Sequence, residues 1–324
     1  MIKHISLFSG IGGAEAALDL CHVNHTTLWR SEIDRKVDLI YQTIWKADPT
    51  KNIGDISTFT WDTVNLNATV DLVTGGFPCQ PFSRLGKREG VNDIRFIRPF
   101  QGILNVVKVF EPKFIMLENV ELPKDAIEHV LSKIGELGYE CLVTKMCPHH
   151  DLGYIQKRKR IYITCWRSDQ DAWVPSVEYL NKTMGWQTLT FDEDVNTGRH
   201  GNCYAIAEKR VVNLFDGKSV YCITARGHDA HCKHMTWVKC SKSHTGYRGY
   251  TPFELHQLFG WGTKKYEFVN ILKQSGISRS SFYHAIGNSW HVGHASYILN
   301  SCPLVQSVSN QREVGEGYGS FAQF

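Results

Sequence analysis

Short apolar runs alternate along the first half of the chain with segments whose apolar residues recur at helical spacing. Residues 4–9, 26–31, 71–74, 113–117, 140–146 and 160–165 read as strands. Residues 13–21, 35–45, 98–110 and 125–137 carry the spacing of amphipathic helices. Strands separated by helices need crossover connections, so the pattern predicts an α/β domain with a largely parallel sheet covered on both faces. After residue 166 the alternation stops. Residues 167–247 are richer in His, Gly, Cys, Lys and Trp, with short β-like runs at 219–224 and 235–239. They read as a second, smaller, mostly β domain. Helical patterning returns at 251–259, where Thr251 is a cap and Pro252 suits the first helical position. A last helix near 290–300 is expected to return to the first domain. The expected division is therefore 1–166, 167–247, 248–302 and a loose extension over 303–324. No internal repeat is visible.

Composition narrows the class only modestly. At 42% hydrophobic and 21% charged residues, the chain is of ordinary globular type. The net charge of +4 does not by itself require a polyanionic partner. Its distribution is more telling: residues 199–248 hold nine Lys/Arg against three Asp/Glu, with five His. That surplus suits a phosphate-facing surface. No apolar run approaches membrane-spanning length, and residues 1–5 enter a strand with no secretory pattern. The ten cysteines then imply free thiols in a reducing, cytoplasmic compartment.

Two strand ends carry candidate chemistry. Gly76-Phe77-Pro78-Cys79-Gln80 follows the apolar run at 70–74 and sets Cys79 on a tight loop at the end of an expected central strand. The crevice beyond the strand ends is the usual place for chemistry in such sheets, so Cys79 reads as a nucleophile. Phe8-Ser9-Gly10-Ile11-Gly12-Gly13 follows the first strand and opens a helix. Its glycines allow a tight turn and close approach of a ligand. Glu32 ends the second strand, where an acid can bind ribose hydroxyls, and Asp55 is expected to end the third at the same edge. NAD, FAD and S-adenosylmethionine all fit such a crevice.

Six motifs in order carry a resemblance. Residues 8–13, the run Gly76-Phe77-Pro78-Cys79-Gln80-Pro81-Phe82-Ser83, Glu118-Asn119-Val120, Gln156-Lys157-Arg158-Lys159-Arg160 and Gly287-Asn288-Ser289 resemble the DNA (cytosine-5) methyltransferase family. Thr251-Pro252-Phe253-Glu254-Leu255 followed by Leu258-Phe259-Gly260 looks like that family's penultimate block, and the likeness spans residues 4 to about 301. It implies a Rossmann-like, S-adenosylmethionine-dependent methyltransferase domain with a smaller, mostly β target-recognition domain. Cys79 would add to carbon 6 of cytosine, Glu118 would contact the ring nitrogen and exocyclic amine, and Arg158 and Arg160 would hold the base and support Glu118. The same likeness implies cofactor contacts from Phe8, Gly10, Ile11, Gly12, Gly13, Glu32, Ile33, Asp55, Ile56, Pro78, Asn288 and Ser289. It implies DNA contacts from Gln80, Ser83, Arg84, Lys87, Asn119, Gln156, Thr224 and Arg226. The partner is double-stranded DNA, with no membrane and a monomeric enzyme expected. A prokaryotic or viral modification enzyme is the natural setting.

Physical reasoning supports this chemistry independently. Guanidinium groups lower a nearby thiol's pKa, and a carboxyl can polarise an unreactive pyrimidine. A base inside a duplex must be swung out, at about a few kcal/mol. The loop over 83–90 is expected to close over DNA. Within the basic run, Lys157 and Lys159 read as solvated.

Three places depart from the family pattern. Tyr221 and Cys222 stand where the family's strand near the recognition domain usually has Pro-Thr. Asp93 and Arg95 keep an acid–arginine pair, but their neighbours are atypical. Gly260-Trp261-Gly262 lacks the usual Phe-Pro. The cluster His228, His231, Cys232, His234, Cys240 and His244 lacks paired zinc-ligand spacing; it reads as phosphate-facing, and no metal is expected. Two other functions compete: a tRNA cytosine-5 methyltransferase on the same scaffold, and a catalytically silent DNA-binding regulator.

Overall fold

In the computed structural model the described residues are 1–61, 68–78, 93–175, 211–212, 220, 222–224, 237–239, 247–261 and 267–313. Strands β1 (Ile2–Leu7), β2 (His25–Arg30), β3 (Leu72–Gly75), β4 (Phe114–Asn119), β5 (Tyr139–Met146) and β6 (Arg160–Arg167) form one sheet. Their order is β2-β1-β3-β4-β6-β5. The pairs β1–β2, β1–β3 and β3–β4 are parallel, whereas β4–β6 and β5–β6 are antiparallel. The sheet is thus more mixed than the sequence pattern predicts. Between β5 and β6 lies only one short helix, α5 (Pro148–Leu152), and without a full crossover helix the chain turns back beside itself.

Helices α1 (Gly13–Leu20), α2 (Arg35–Trp45), α3 (Ile94–Phe110) and α4 (Lys124–Gly135) follow the first four strands and lie in their crossovers. Alternation along each strand feeds two cores. On β4, Ile115 and Leu117 pack with Phe100, Ile103 and Val130, while Phe114 and Met116 pack with Ala17, Val292 and Ile298. Both faces are covered, so β4 is buried throughout. Helix α3 starts four residues before its expected position, because the Asp93 side chain accepts the Arg95 backbone N–H and caps it there. Asp93 also pairs with the Arg95 guanidinium. The proline at 99 is accommodated inside the helix.

Three other expectations are corrected. Asp55 ends no sheet strand: Asn52 makes a single bridge to Arg30, and Asp55 accepts hydrogen bonds from the backbone N–H and hydroxyl of Ser57. A short side chain that bonds two residues ahead favours a turn over a strand. The run at 219–224 is not a strand among its described residues, since Val220 makes one bridge to Gln156. The expected loose tail begins with a helix, α10 (Pro303–Glu313), in which Val305 is fully buried.

Strands β7 (Val211–Val212), β8 (Trp237–Lys239) and β9 (Tyr247–Arg248) make a second small sheet. Helix α6 (Pro252–Leu258) opens on a full capping box between Thr251 and Glu254, followed by α7 (Glu267–Ser275), α8 (Arg279–Asn288) and α9 (Val292–Asn300). Helix α9 lies against α1 and returns the chain to the main sheet. Its cap is His291, whose Nδ1 accepts the His294 N–H at 3.3 Å.

Burial, with the Arg158 cation nearby, lowers the His291 pKa from 6.5 to about 3. The folded state therefore prefers the neutral ring. Stability is complete above pH 6.5 and is lost as pH falls towards 3, by about 2 kcal/mol at pH 5 from this residue alone. His291→Asn keeps a cap acceptor without a titrating ring. Denaturant unfolding between pH 7 and 5 should show a flatter decline for that variant. An unchanged decline would remove His291 from the acid response.

Candidate active site

The order β2-β1-β3-β4 has its switch point between β1 and β3, where the chain leaves in opposite directions. Crevices form beyond the strand ends at such points. A cavity lies there, walled by Leu7, Phe8, Ser9, Gly10, Gly13 and Ala14 on one side and by Thr74, Gly76 and Glu118 on the other. Asn288, Ser289 and Trp290 close it from the end of α8. Two glycines are required by geometry. Gly12 has φ 91°, and a Cβ there would fall 1.9 Å from Trp45 Nε1, which donates to the Ile11 carbonyl. A Cβ on Gly76 would lie 2.8 Å from Trp290 Nε1 and 3.5 Å from the Glu118 carboxyl. Its absence leaves room beside that carboxyl.

Glu118 is nearly buried near the end of β4, and its Oε1 receives Arg160 Nε at 2.9 Å. Burial raises its pKa, opposed by the Arg160 and Arg158 cations. Arg158, 2% exposed, makes no direct bond to Glu118 among those of the described residues. Its guanidinium donates to the carbonyls of Ile223 (2.9 Å), Gly287 (3.3 Å) and Ser289 (2.8 Å). It therefore joins the chain near β6 to the segment after Val220 and to the end of α8. It also reaches Cys222 Sγ at 3.6 Å. Burial pushes that thiol up, but Arg158 and Arg160 outweigh it and the net shift is down. Cys222 stands at the position where the family pattern has threonine.

The remaining expected site residues divide clearly. Phe8, Gly10, Gly13, Asn288 and Ser289 line the cavity. Glu32 turns its carboxyl onto the glycine turn, accepting the Gly10 N–H at 3.1 Å and the Asp34 N–H at 2.8 Å. Ile33 beside it is exposed, Ile11 and Ile56 are core residues, and Pro78 and Asp55 are absent from the cavity wall. Asn119 donates to the Phe77 carbonyl and accepts the Val120 N–H. Gln156, fully buried, donates to the Leu258 carbonyl. Both amides brace the site from within, which leaves them poorly placed as DNA contacts. Thr224 is exposed. Cys79, Gln80, Ser83, Arg84, Lys87, Arg226 and the His/Cys cluster at 228–244 lie outside the described residues. Among the wall residues that sequence reasoning missed, Ser9 lies within a motif that it singled out, and Thr74 and Trp290 lie next to one.

These features define an α/β protein with a nucleotide-type crevice and a buried carboxylate–guanidinium pair beside it. The family model for C-5 cytosine-specific DNA methylase matches residues 2–216, so the chain belongs to that family. Type II methyltransferase M.MspI of Moraxella sp is 28% identical over 98% of this chain and 74% of its own length. Type II methyltransferase M.HhaI of Haemophilus parahaemolyticus is 32% identical over 52% of this chain and 50% of its own. Orphan methyltransferase M.Rho11sI of Bacillus phage rho11s is 35% identical over 53% of this chain and 35% of its own. The chain thus spans from about a third to about three quarters of these curated relatives. The crystal structure of S. pombe Dnmt2 methyltransferase has the same fold, with a TM-score of 0.73 and 21% identity over 96% of this chain and all of that one.

Members of this family use S-adenosyl-L-methionine as methyl donor. The cavity suits that group: Ser9 Oγ lies on its wall, buried and without a partner, beside a turn that presents the start of a helix. Among the described residues no helix is long and apolar enough to cross a membrane.

Proposed function

We propose that the protein is a DNA (cytosine-5) methyltransferase acting on a cytosine drawn out of duplex DNA. The observation that carries this reading is the Glu118–Arg160 pair on the cofactor cavity, close to the Gly76-Phe77-Pro78 segment that leads to Cys79. S-adenosylmethionine, held by the glycine turn, Asn288 and Ser289, would supply an electrophilic methyl group. Cys79, as thiolate, forms an S–C6 bond to the base. Glu118, whose carboxyl burial makes easier to protonate, hydrogen-bonds the ring nitrogen and prevents charge from building there. Carbon 5, made electron-rich by the thiolate addition, would then take the methyl group, with the electron pair of the broken S–CH3 bond left on the donor sulfur. Loss of the carbon 5 proton to a base returns the electron pair that expels the Cys79 thiolate. Arg160 fixes the Glu118 carboxyl, and Arg158 fixes the backbone around it.

We further assign residues 167–247 to target recognition, with the basic bias of 199–248 facing phosphate. The small β7-β8-β9 sheet fits such a module. Methyl transfer from tritiated S-adenosylmethionine should label duplex DNA and leave tRNA unlabelled. Labelling of tRNA alone would overturn the DNA reading. Cys79→Gly should retain duplex binding while transfer falls to background, because the base pocket persists without the thiol. Sequencing of modified genomic DNA from expressing cells would give the recognition site.

A further inference from the structure

Arg160 is a partition. One side of its ion pair is the Glu118 carboxyl on the wall of the cofactor cavity, while Arg160 itself lines a second cavity of about 270 Å³ on the far side. That second cavity lies at the end of β5, the start of β6 and helix α5, on the sheet edge that carries Glu118 and Asn119. Its floor is apolar: Met146, Cys147 and Ile161 are each at most 6% exposed. Its rim carries three cations, Lys145, Lys159 and Arg160, beside two acids, Glu121 and Asp151.

Of the two rim acids, Glu121 faces both Lys145 and Lys159, while Asp151 is turned to the helix backbone. Asp151 is committed to the first turn of α5, where its carboxylate accepts the Cys147 backbone N–H. Glu121 pairs with Lys145 at 2.9 Å, but both partners are about 60% exposed. An exposed pair of this kind is worth at most about 1 kcal/mol, so a stronger anion can displace the acid. His150 completes the rim. An apolar floor below two lysine ammonium groups and the Arg160 guanidinium matches a sugar face and its phosphate.

We propose that this cavity seats a sugar–phosphate unit of the substrate strand, next to the nucleotide drawn into the cofactor-side pocket. The inference rests on the DNA reading above and adds Lys159 and Lys145 as phosphate contacts. Such contacts set register and grip without reading sequence. Seated there, the neighbouring phosphate would hold the strand while the target base crosses to Glu118.

The test is the salt dependence of duplex binding, which needs no turnover and so fails separately from the methyltransferase reading. Lys145→Ala/Lys159→Ala should flatten the slope of log affinity against log salt by about 0.9 per lost contact, hence about 1.8 in all. Lys108→Ala, exposed near the end of α3, should leave the slope unchanged. With turnover measured, KM for DNA should rise far more than kcat falls.

Neutral methylphosphonates placed singly along the target strand give the second arm. At the nucleotide beside the target, the substitution should weaken binding to the unaltered protein but add nothing in the double variant. Equal slopes for the two proteins, or a methylphosphonate penalty that persists undiminished in the double variant, would overturn the proposal. So would loss of the difference on adding millimolar inorganic phosphate at constant ionic strength, which would mark a site for free phosphate.

Discussion

Glu118→Gln should lower methyl transfer to a cognate duplex by about 100- to 10,000-fold, the range supplied by a positioned acid. The substitution preserves shape and removes the ionisable carboxyl. It also places an amide against Arg160 Nε, which now donates to Oε1 at 2.9 Å. Cofactor affinity should change by only a few-fold, since the glycine turn, Ser9 and Ser289 remain. A thermal melt of the same sample separates lost chemistry from lost structure, because breaking a buried ion pair can cost about 3–5 kcal/mol. Turnover within tenfold of the parent, in a folded variant, would remove Glu118 from the mechanism.

The second large effect concerns stability. Arg158→Ala should reduce unfolding free energy by about 3–5 kcal/mol in urea. The guanidinium satisfies three buried carbonyls from two distant segments, and hydrogen bonds to a charged group contribute about 1.5–3 kcal/mol each. Its loss would strand those acceptors without water. Arg158→Lys should recover little, because a single ammonium cannot span the fork that reaches Ile223, Gly287 and Ser289. A loss below about 1 kcal/mol in the alanine variant would contradict this role.

Much of this arrangement is legible in the sequence, and the exceptions have physical causes. Residues 35–45 form a helix at the expected bounds because the Asp34 side chain caps an amphipathic run. The neighbourhood of Glu118 and Arg160 is readable because both follow from strand ends at one edge. Periodicity does not specify strand direction, so the antiparallel entry of β6 between β4 and β5 could not be foreseen. Asp55 was misread because an acid after Gly54 suits a turn as well as a strand end, and only the Ser57 bonds decide between them. Arg158 shares a motif with Arg160 yet does different work. Its carbonyl partners come from residues 65 to 131 positions away, which no local pattern encodes. Trp290 and the opening of α10 were hidden for the same reason, since each is defined by what it packs against.

The covalent step through Cys79 is the central claim. The direct measurement is denaturing electrophoresis and peptide mass analysis after incubating the protein with S-adenosylmethionine and a cognate duplex carrying 5-fluorocytosine at the target. Fluorine cannot leave carbon 5 as a proton does, so the account predicts a stable protein–DNA adduct on the peptide containing Cys79, absent from Cys79→Gly. No adduct on a duplex that the protein binds and methylates in its unsubstituted form, or an adduct at another residue, would contradict it.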